Sequence, residues 1–403
     1  MIRSTEISWK FSNTNKKDAI IEFIQEYRRV AGLFCNTLWD MAKCPTLLPK
    51  ELTDSVGSWL SARALQACAK QVSGVIRGTR KKQEKRLFML QKLMKEGKNT
   101  KALQRKISKA VISKPNVSRM NPELDQRFVS FDEDPKTSFN LWATLGSIGR
   151  SMKIKIPLKK TTHFKKWRSR GDLKQCVRLT DSSAILMFDI PDAQEKTTGN
   201  IVGLDIGELN VFTVSDRQTT SPDKDGWTLD KITKKLARRK KGSKGFREAQ
   251  THRKNYIHWC FNKLDLSDVK QINAEDIKNL RYKSRSSRRL SHWTYTIIFD
   301  KLKSYCFEAG VLVLQGSSVY SSQRCSSCGW TRKRNRKGKV FSCKACGFTD
   351  DADYNASLNL SSVLPEISPE IRQKRYNLAG FYWKPDGLYF DGGEPIVPHV
   401  QKP

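Results

Sequence analysis

The chain has 403 residues, which is enough for roughly two to four domains with buried cores. Its 75 Lys and Arg residues outnumber 40 Asp and Glu residues, which leaves a formal net charge of +35. No apolar run is long enough for a membrane-spanning helix, so that class of protein is excluded. A compact fold with this excess charge repels itself, and we expect a polyanion to offset it. Nucleic acid fits this requirement better than a membrane surface does.

The first part of the chain predicts one strand followed by a helical domain. Residues 2–11 alternate in polarity and are rich in Ile, Ser, Thr and Trp, as in a β-strand. Apolar residues then recur at helical spacing over 15–45. Two further helical patterns follow, over 65–75 and over the highly charged segment 81–109. Residues 15–118 therefore predict helices with basic outer faces.

The next segment, 120–199, predicts a small β-barrel. Its strand patterns are short and bounded by turn residues. They cover residues 127–131, 139–145, 153–158, 176–179 and 184–190. Five or six strands of this length are typical of a small barrel, with the first strand supplied by the N-terminal segment. The helical domain is then an insertion into that barrel.

From residue 200 the pattern changes to alternating strands and helices, which is typical of an α/β layout. Strands are predicted over 201–206, 210–215, 269–274 and 311–315. Helices are predicted through Tyr256 to Leu264, over 292–309 and from about Ala352 onward. The tail from residue 366 mixes Pro, Gly and aromatic residues and yields no assignment.

Four of the ten cysteines form the pattern C-x2-C-x14-C-x2-C, at Cys325, Cys328, Cys343 and Cys346. Two such knuckles close a tetrahedral thiolate shell, so the pattern predicts one Zn²⁺. Four protein ligands leave no open coordination position, and the zinc is therefore expected to be structural. The remaining cysteines are expected to be buried apolar residues: Cys35, Cys44, Cys68, Cys176, Cys260 and Cys306.

Reduced cysteines and an N-terminus without a secretory apolar segment indicate an intracellular location. We expect the cytoplasm or nucleoid, or the nucleus if the source is eukaryotic.

Between the two knuckles lies TRKRNRKGK, with six basic residues in nine. A loop held by zinc is either a preorganised phosphate contact or an ordinary solvated charge run, and the sequence leaves both open. Two more basic stretches read KKLARRKKGSKGFR and RYKSRSSRRL. The candidate nucleic-acid contacts are Arg239, Arg247, Arg281, Arg285, Arg288, Arg289, Arg332, Lys333, Arg334 and Arg336.

Three acidic residues are candidates for a second metal centre. Asp205 ends the strand in IVGLDIG, Glu275 ends the strand in INAEDI, and Asp353 lies just inside the helix that follows the cysteines. Each acid alone has an ordinary explanation as a solvated strand end or a helix cap. Together, three hard oxygen donors can hold two Mg²⁺ ions about 3.5–4 Å apart and promote phosphodiester hydrolysis. We assign Asp353 to the metal and Asp351 to the N-cap of the helix.

Several motifs carry a family resemblance. GLDIGELNVFTVSD, INAEDIKNL, YSSQRCSSCG, CKACG and DADYNAS occur in this order. The same order is found in the RuvC-like nuclease domain of transposon-encoded TnpB proteins, and the compact type V CRISPR effectors share that domain. SMKIKIPLKKTTHFKKW and LTDSSAILMFDIP also resemble the wedge barrel of that superfamily. The resemblance covers residues 120–360 with specific motifs, and the earlier part of the chain only by its layout.

The resemblance implies a multidomain α+β protein. Its parts would be an RNase H-like (RuvC) α/β nuclease domain with a zinc ribbon, a small wedge or OB-like β-barrel, and a helical recognition domain inserted in the barrel. The expected segments are 1–14 (first wedge strand), 15–118 (recognition domain), 119–199 (wedge barrel), 200–320 (first RuvC-like part), 321–347 (zinc ribbon, target-nucleic-acid-binding), 348–365 (last RuvC-like helix) and 366–403 (unassigned tail).

The resemblance also implies an activity, that of an RNA-guided, Mg²⁺-dependent endodeoxyribonuclease. Asp205, Glu275 and Asp353 match its three metal-binding acids, and the four cysteines match its zinc segment. The expected partners are a guide RNA and double-stranded target DNA, as heteroduplex and displaced strand, beside a short recognition motif. The number of chains that bind each RNA is left open, and either one chain or a homodimer is compatible with the sequence.

Two alternatives remain at this point. A nuclease-inactive relative would keep guide and target and act as a repressor, but such relatives lose the acids that this chain retains. A non-guided zinc-ribbon protein, such as a transposition factor, would bind plain duplex DNA without copurifying RNA. The barrel with its helical insertion argues against this second alternative.

Overall fold

The computed structural model describes residues 1–46, 48–97, 99–111, 113–133, 136–207, 209–277, 295–317 and 319–396. The candidates Arg281, Arg285, Arg288 and Arg289 lie outside these residues. The chain divides into two compact units, Met1–Pro191 and Asp192–Pro403, and its architecture is multidomain α+β as predicted. Across the described ranges, no helix combines the length and apolar character that crossing a bilayer requires.

The helices of the first unit are built on apolar stripes. They are α1 Thr14–Asp40, α2 Lys50–Asp54, α3 Ala62–Lys95, α4 Lys101–Val111 and α5 Thr162–Arg168. One expectation was wrong here, because the two patterns predicted after residue 64 belong largely to the single helix α3. Its buried residues end at Ile76, and its charged half continues because Lys, Arg, Gln and Glu are good helix formers.

The strands of the first unit form two antiparallel sheets within the described residues. They are β1 Ile2–Ser8, β2 Glu123–Leu124, β3 Val129–Asp132, β4 Leu141–Leu145, β5 Ile154–Leu158, β6 Asp172–Leu179 and β7 Ser183–Asp189. The strand orders are β1-β7-β6-β2 and β3-β4-β5. The N-terminal strand thus pairs with β7, from Ile2 opposite Asp189 to Ser8 opposite Ser183. Both sheets and α1 share one apolar core, and closure into a barrel remains a prediction.

The second unit is centred on a mostly parallel sheet. Its first elements are β8 Asn200–Asp205, β9 Thr213–Val214, α6 Leu229–Arg238, α7 Lys244–Asn262, β10 Val269–Glu275, α8 Tyr295–Glu308 and β11 Leu312–Gly316. The order is β11-β10-β8-β9, in which β10 is parallel to β8 and β11, and β9 is antiparallel to β8. Because β8 and β10 are parallel neighbours, their carboxyl ends lie at the same edge of the sheet.

The remaining elements belong to the cysteine segment, the last predicted helix and the tail. They are β12 Trp330–Thr331, β13 Arg336–Lys337, β14 Val340–Ser342, β15 Thr349–Asp351, α9 Ala352–Ser361, α10 Pro369–Gln373, β16 Phe381–Lys384 and β17 Gly387–Tyr389. Two small sheets result, β13-β14-β15 and β12-β16-β17. The sequence left the tail unassigned, and the structure shows that its described part, residues 366–396, contains α10, β16 and β17, with β16 paired to β12 of the cysteine segment.

Helix α9 packs closely on β8, and a glycine makes this possible. A Cβ atom at Gly203 would lie 1.9 Å from the carbonyl oxygen of Ser357 and 2.5 Å from the backbone nitrogen of Ser361. Real Cβ atoms do not approach backbone atoms this closely, so only glycine fits at this position. The close approach brings the first turn of α9 to the carboxyl edge of the sheet.

Candidate functional site

Three acidic side chains from separate elements are buried at the carboxyl edge of the central sheet. Asp205 is the last residue of β8, and Glu275 is the last residue of β10. Asp353 is the second residue of α9. Their exposed fractions are 9%, 9% and 4%, which is unusual for carboxylates. The sequence motifs therefore predicted three acids that the fold places in one buried region.

The electrostatics of the acids show that they act on one another. Burial raises the pKa of Asp205 to about 7, and the nearby Asp353 carboxylate adds to the increase. Burial likewise raises the pKa of Glu275 to about 8, with Asp205 as the next cause. Asp205 and Glu275 therefore hold their protons more tightly than free carboxyl groups do, mainly because they are buried and also because a neighbouring carboxylate is negative. A bound cation would reverse this effect.

Asp353 already has two cationic partners. Its Oδ1 accepts a hydrogen bond from Arg336 Nη2 at 3.0 Å, and its Oδ2 contacts Lys339 Nζ. Both cations come from the basic run between the two cysteine knuckles. Arg336 was predicted to contact nucleic acid, and the structure directs its guanidinium to Asp353. The sequence gives no local signal for this pairing, because 17 residues separate the partners.

The donor set of the acids suits Mg²⁺, which prefers carboxylate oxygens. Their ligand oxygens are not all within 4.8 Å of one another. In this structure the three acids are therefore buried in one region without being close enough to share a single ion.

The residues before α9 have the capping role that was predicted for Asp351. Its carboxylate accepts hydrogen bonds from the backbone nitrogens of Asp353 at 2.9 Å and Tyr354 at 3.1 Å. The neighbouring Asp350 accepts from the backbone nitrogen of Asp351 at 2.8 Å and pairs with Arg217 at 3.5 Å. Asp351 thus satisfies free amides of the first helical turn, and this prediction is confirmed.

The four predicted zinc ligands form a compact cluster. The sulfur atoms of Cys325, Cys328, Cys343 and Cys346 all lie within 4.8 Å of one another. Cys325 and Cys346 are 3.7 Å apart, and Cys328 and Cys343 are 3.6 Å apart. Tetrahedral coordination with Zn–S bonds of about 2.3 Å requires sulfur separations of about 3.8 Å. The cluster therefore fits one zinc ion.

Of the other cysteines, Cys35, Cys44, Cys68, Cys260 and Cys306 are buried, and Cys176 is half-buried.

The basic residues proposed for nucleic acid are partly available at the surface. Arg239, Arg247, Lys333 and Arg334 are exposed, and Arg332 is half-buried. The stretch KKLARRKKGSKGFR, predicted to lead into one helix, is divided between the end of α6 and the start of α7. Phosphate contact by these side chains stays a prediction.

Fold and site together define a multidomain α+β protein in which a four-cysteine ribbon is built into an α/β unit. Comparison with known proteins shows which members of this class the chain is similar to. Residues 295–360 match the family model "Cas12f1-like, TNB domain". Over 149 residues the chain is 34% identical to the CRISPR-associated endodeoxyribonuclease Cas12f1 of Sulfoacidibacillus thermotolerans, covering 37% of this chain and 34% of that protein.

A second relative is a TnpB-like protein. The chain is 33% identical to the TnpB-like protein aq_aa05 of Aquifex aeolicus over 92 residues, which is 21% of this chain and 30% of the relative. The chain thus matches about a third of the length of these two relatives. The structure of the mini-RNA-guided endonuclease CRISPR-Cas phi3 covers 90% of this chain and 92% of its own, with a TM-score of 0.50 and 8% identity. That likeness concerns the fold alone. The predicted resemblance to TnpB proteins and compact type V CRISPR effectors is confirmed.

Proposed function

We propose that the chain is an RNA-guided DNA endonuclease of the RuvC type. The observation that carries the proposal is the burial of Asp205, Glu275 and Asp353 at one sheet edge. The order β11-β10-β8-β9, with β9 antiparallel, supports an RNase H-like nuclease domain. The names of the relatives support nuclease activity, and the formal charge of +35 supports nucleic-acid partners.

The chemistry assigned to the chain follows from this geometry. Asp205, Glu275 and Asp353 would hold two Mg²⁺ ions, which when bound supply an activated water and stabilise the leaving oxygen of the phosphodiester. Burial of the three carboxylates excludes competing water and strengthens their hold on a cation. Arg336 and Lys339 pair with the two carboxylate oxygens of Asp353 and orient this side chain. The zinc cluster contributes to folding and not to the chemical step.

The partners follow from the charge and from the relatives. We assign a guide RNA and double-stranded target DNA to the chain, and the cytoplasm or nucleoid as its location. RNA that copurifies with the protein, once sequenced, identifies the guide and excludes a non-guided DNA-binding protein. The mass of that complex distinguishes one chain per RNA from two.

The decisive experiment compares single substitutions at the acids in the RNA-loaded protein. Asp205→Ala, Glu275→Ala and Asp353→Ala should each abolish cleavage of a matched target and leave guided binding within about twofold. Asp350→Ala is the matched control, since it removes a carboxylate from the same segment without touching the buried site. Cleavage retained by Asp353→Ala would contradict the assignment. Guided binding without any cleavage by the unaltered protein would favour the repressor alternative.

A further inference from the structure

Arg324, the residue before the first zinc ligand, is a buried cation with an unusual set of partners. Its side chain is only 5% exposed. Its Nε donates a hydrogen bond to the carbonyl oxygen of Trp383 at 2.7 Å, and its Nη1 donates to Asn359 Oδ1 at 2.5 Å. Burial lowers the pKa of Arg324, and negative charge on the sulfur atoms of Cys325 and Cys328 would oppose this decrease. Burying a charge is costly unless it is paired, so this arrangement needs an explanation.

The backbone on both sides of Cys325 is held by helix α9. Asn355 and Asn359 lie one turn apart on that helix, and both donate from Nδ2 to the carbonyl oxygen of Arg324 at 2.8 Å. Asn355 Oδ1 accepts from the backbone nitrogen of Ser326 at 3.0 Å. The helix that carries Asp353 therefore also fixes the first zinc knuckle.

The C-terminal tail holds the same knuckle from another direction. The backbone nitrogen of Trp383 donates to the carbonyl oxygen of Gly329 at 2.9 Å, next to the ligand Cys328. Its indole Nε1 donates to the carbonyl oxygen of Pro365, just after α9. Through Arg324, the hairpin of β16 and β17 is thus connected to both the ribbon and α9.

The charge of the tail suits a protein contact and not a phosphate contact. Residues 366–396 carry four basic and five acidic side chains, in a chain whose formal charge is +35. The nine are Glu366, Glu370, Arg372, Lys374, Arg375, Lys384, Asp386, Asp391 and Glu394. A segment close to neutral gains little from a nucleic acid, and its apolar residues are packed into a small core of their own.

We propose that Arg324 is a positioning residue, which locks the C-terminal hairpin and the first zinc knuckle onto α9 and so sets the place of Asp353. The counter-charge is the metal centre itself, since four thiolates around one Zn²⁺ carry a net charge of about −2. Loss of zinc would leave Arg324 without a counter-ion and loosen the hairpin, although the hairpin contains no zinc ligand. The effect on cleavage rests on the proposed function, whereas the coupling among the three segments does not.

The test is hydrogen exchange on the full-length protein, with peptides that cover 352–361 and 381–389. Arg324→Lys keeps the charge but carries all its donors on one nitrogen, so it cannot reproduce the separate Nε and Nη1 contacts of the guanidinium, and exchange should rise in both segments. Loss of one hydrogen bond to a charged group corresponds to roughly a 10- to 150-fold change in an equilibrium constant. Arg372→Lys is the matched control, because Arg372 is exposed and lies outside the network, and it should leave both segments unchanged.

Zinc removal supplies a readout that general destabilisation would not move. In the unaltered protein, a chelator should speed exchange at 381–389, and in Arg324→Lys the same treatment should add little. Asn359→Ala provides a second variant if Arg324→Lys does not fold. Exchange at 352–361 and 381–389 that matches the unaltered protein in either folded variant would overturn the proposal.

The consequence for the acids is measured by binding of Mn²⁺, followed by its paramagnetic resonance signal. Arg324→Lys should weaken Mn²⁺ binding at least severalfold while the zinc content stays at one ion per chain. If the unaltered protein binds no Mn²⁺ through Asp205, the proposed function fails, and the exchange experiment still decides the positioning role. If Mn²⁺ affinity is unchanged while exchange rises, Arg324 couples the segments but does not position Asp353, and the proposal is wrong.

Discussion

The contact between Gly203 of β8 and helix α9 gives a direct test of how the acids are brought together. Gly203 is not among the residues with positive φ, so Ala meets no backbone strain there. The cost of Gly203→Ala is therefore steric. The added Cβ would lie 1.9 Å from the carbonyl oxygen of Ser357 and 2.9 Å from the carbonyl carbon of Leu360, where ordinary contacts are 3.4–4 Å. All of the obstructing atoms belong to the backbone, so no rotamer change relieves the overlap.

The magnitude follows from the displacement that the methyl group demands. Helix α9 must move by roughly 1.5 Å to restore ordinary contact, which is beyond what close-packed side chains absorb. Overpacking of this kind costs about 1–3 kcal/mol or more. In a unit of this size, each kcal/mol lowers the melting temperature by about 2–4 °C. Gly203→Ala should therefore lower the melting temperature of the second unit by about 2–12 °C, and Mn²⁺ binding should weaken because Asp353 moves with the helix.

Calorimetry and Mn²⁺ binding on the purified protein measure both effects. Gly32→Ala in α1 is the matched control, since nothing lies within 4 Å of its added Cβ. Alanine is favoured over glycine in a helix by about 0.5–1 kcal/mol, so the control should melt slightly higher than the unaltered protein. If Gly203→Ala has the same melting temperature as the unaltered protein and binds Mn²⁺ equally well, the contact between β8 and α9 does not set the position of Asp353.

Two further predictions concern zinc and pH. The double substitution Cys325→Ser and Cys328→Ser should abolish zinc retention and lower the melting temperature, because structural zinc contributes to folding. An unchanged melting temperature would refute this prediction. The pKa values of Asp205 and Glu275 are raised to about 7 and about 8, so the folded protein holds protons that the unfolded chain releases. Without divalent metal at the acids, the free energy of unfolding should therefore fall as pH rises from about 5 to 8. Melting at several pH values should show this slope, and Asp205→Asn should flatten it. Stability that rises over the same range would contradict the burial of these acids.

The sequence predicted those parts of the site that depend on local pattern. Asp205 and Glu275 end apolar strands, and parallel strands bring such residues to one edge. The four cysteines have the spacing of a zinc site, and Asp351 stands where a helix cap is expected. In each case the signal lies within one short stretch of sequence, the longest being Cys325 to Cys346, and the fold only had to bring the segments together.

The parts that were missed depend on tertiary contacts. Nothing near Arg336 or Lys339 shows that they contact Asp353, and a basic run is ordinarily a solvated or phosphate-binding surface. Nothing around Gly203 shows which backbone will press against it. The tail was unassigned because its strands are three and four residues long and because β16 pairs with β12 of the cysteine segment, which lies about 50 residues earlier.

The place of the cysteine segment directly before α9 has a physical reason. Strand β15 ends at Asp351 and pairs with β14, so the ribbon sheet runs into the helix without a linker. The carbonyl oxygen of Lys339 accepts from the backbone nitrogen of Ala352 at 2.8 Å, while the Lys339 side chain contacts Asp353. A single ribbon residue thus holds both the start of the helix and its buried acid. A zinc ion held by the four cysteines would fix the two knuckles on either side of that residue, so we expect changes in the ribbon to alter the position or the charge environment of Asp353.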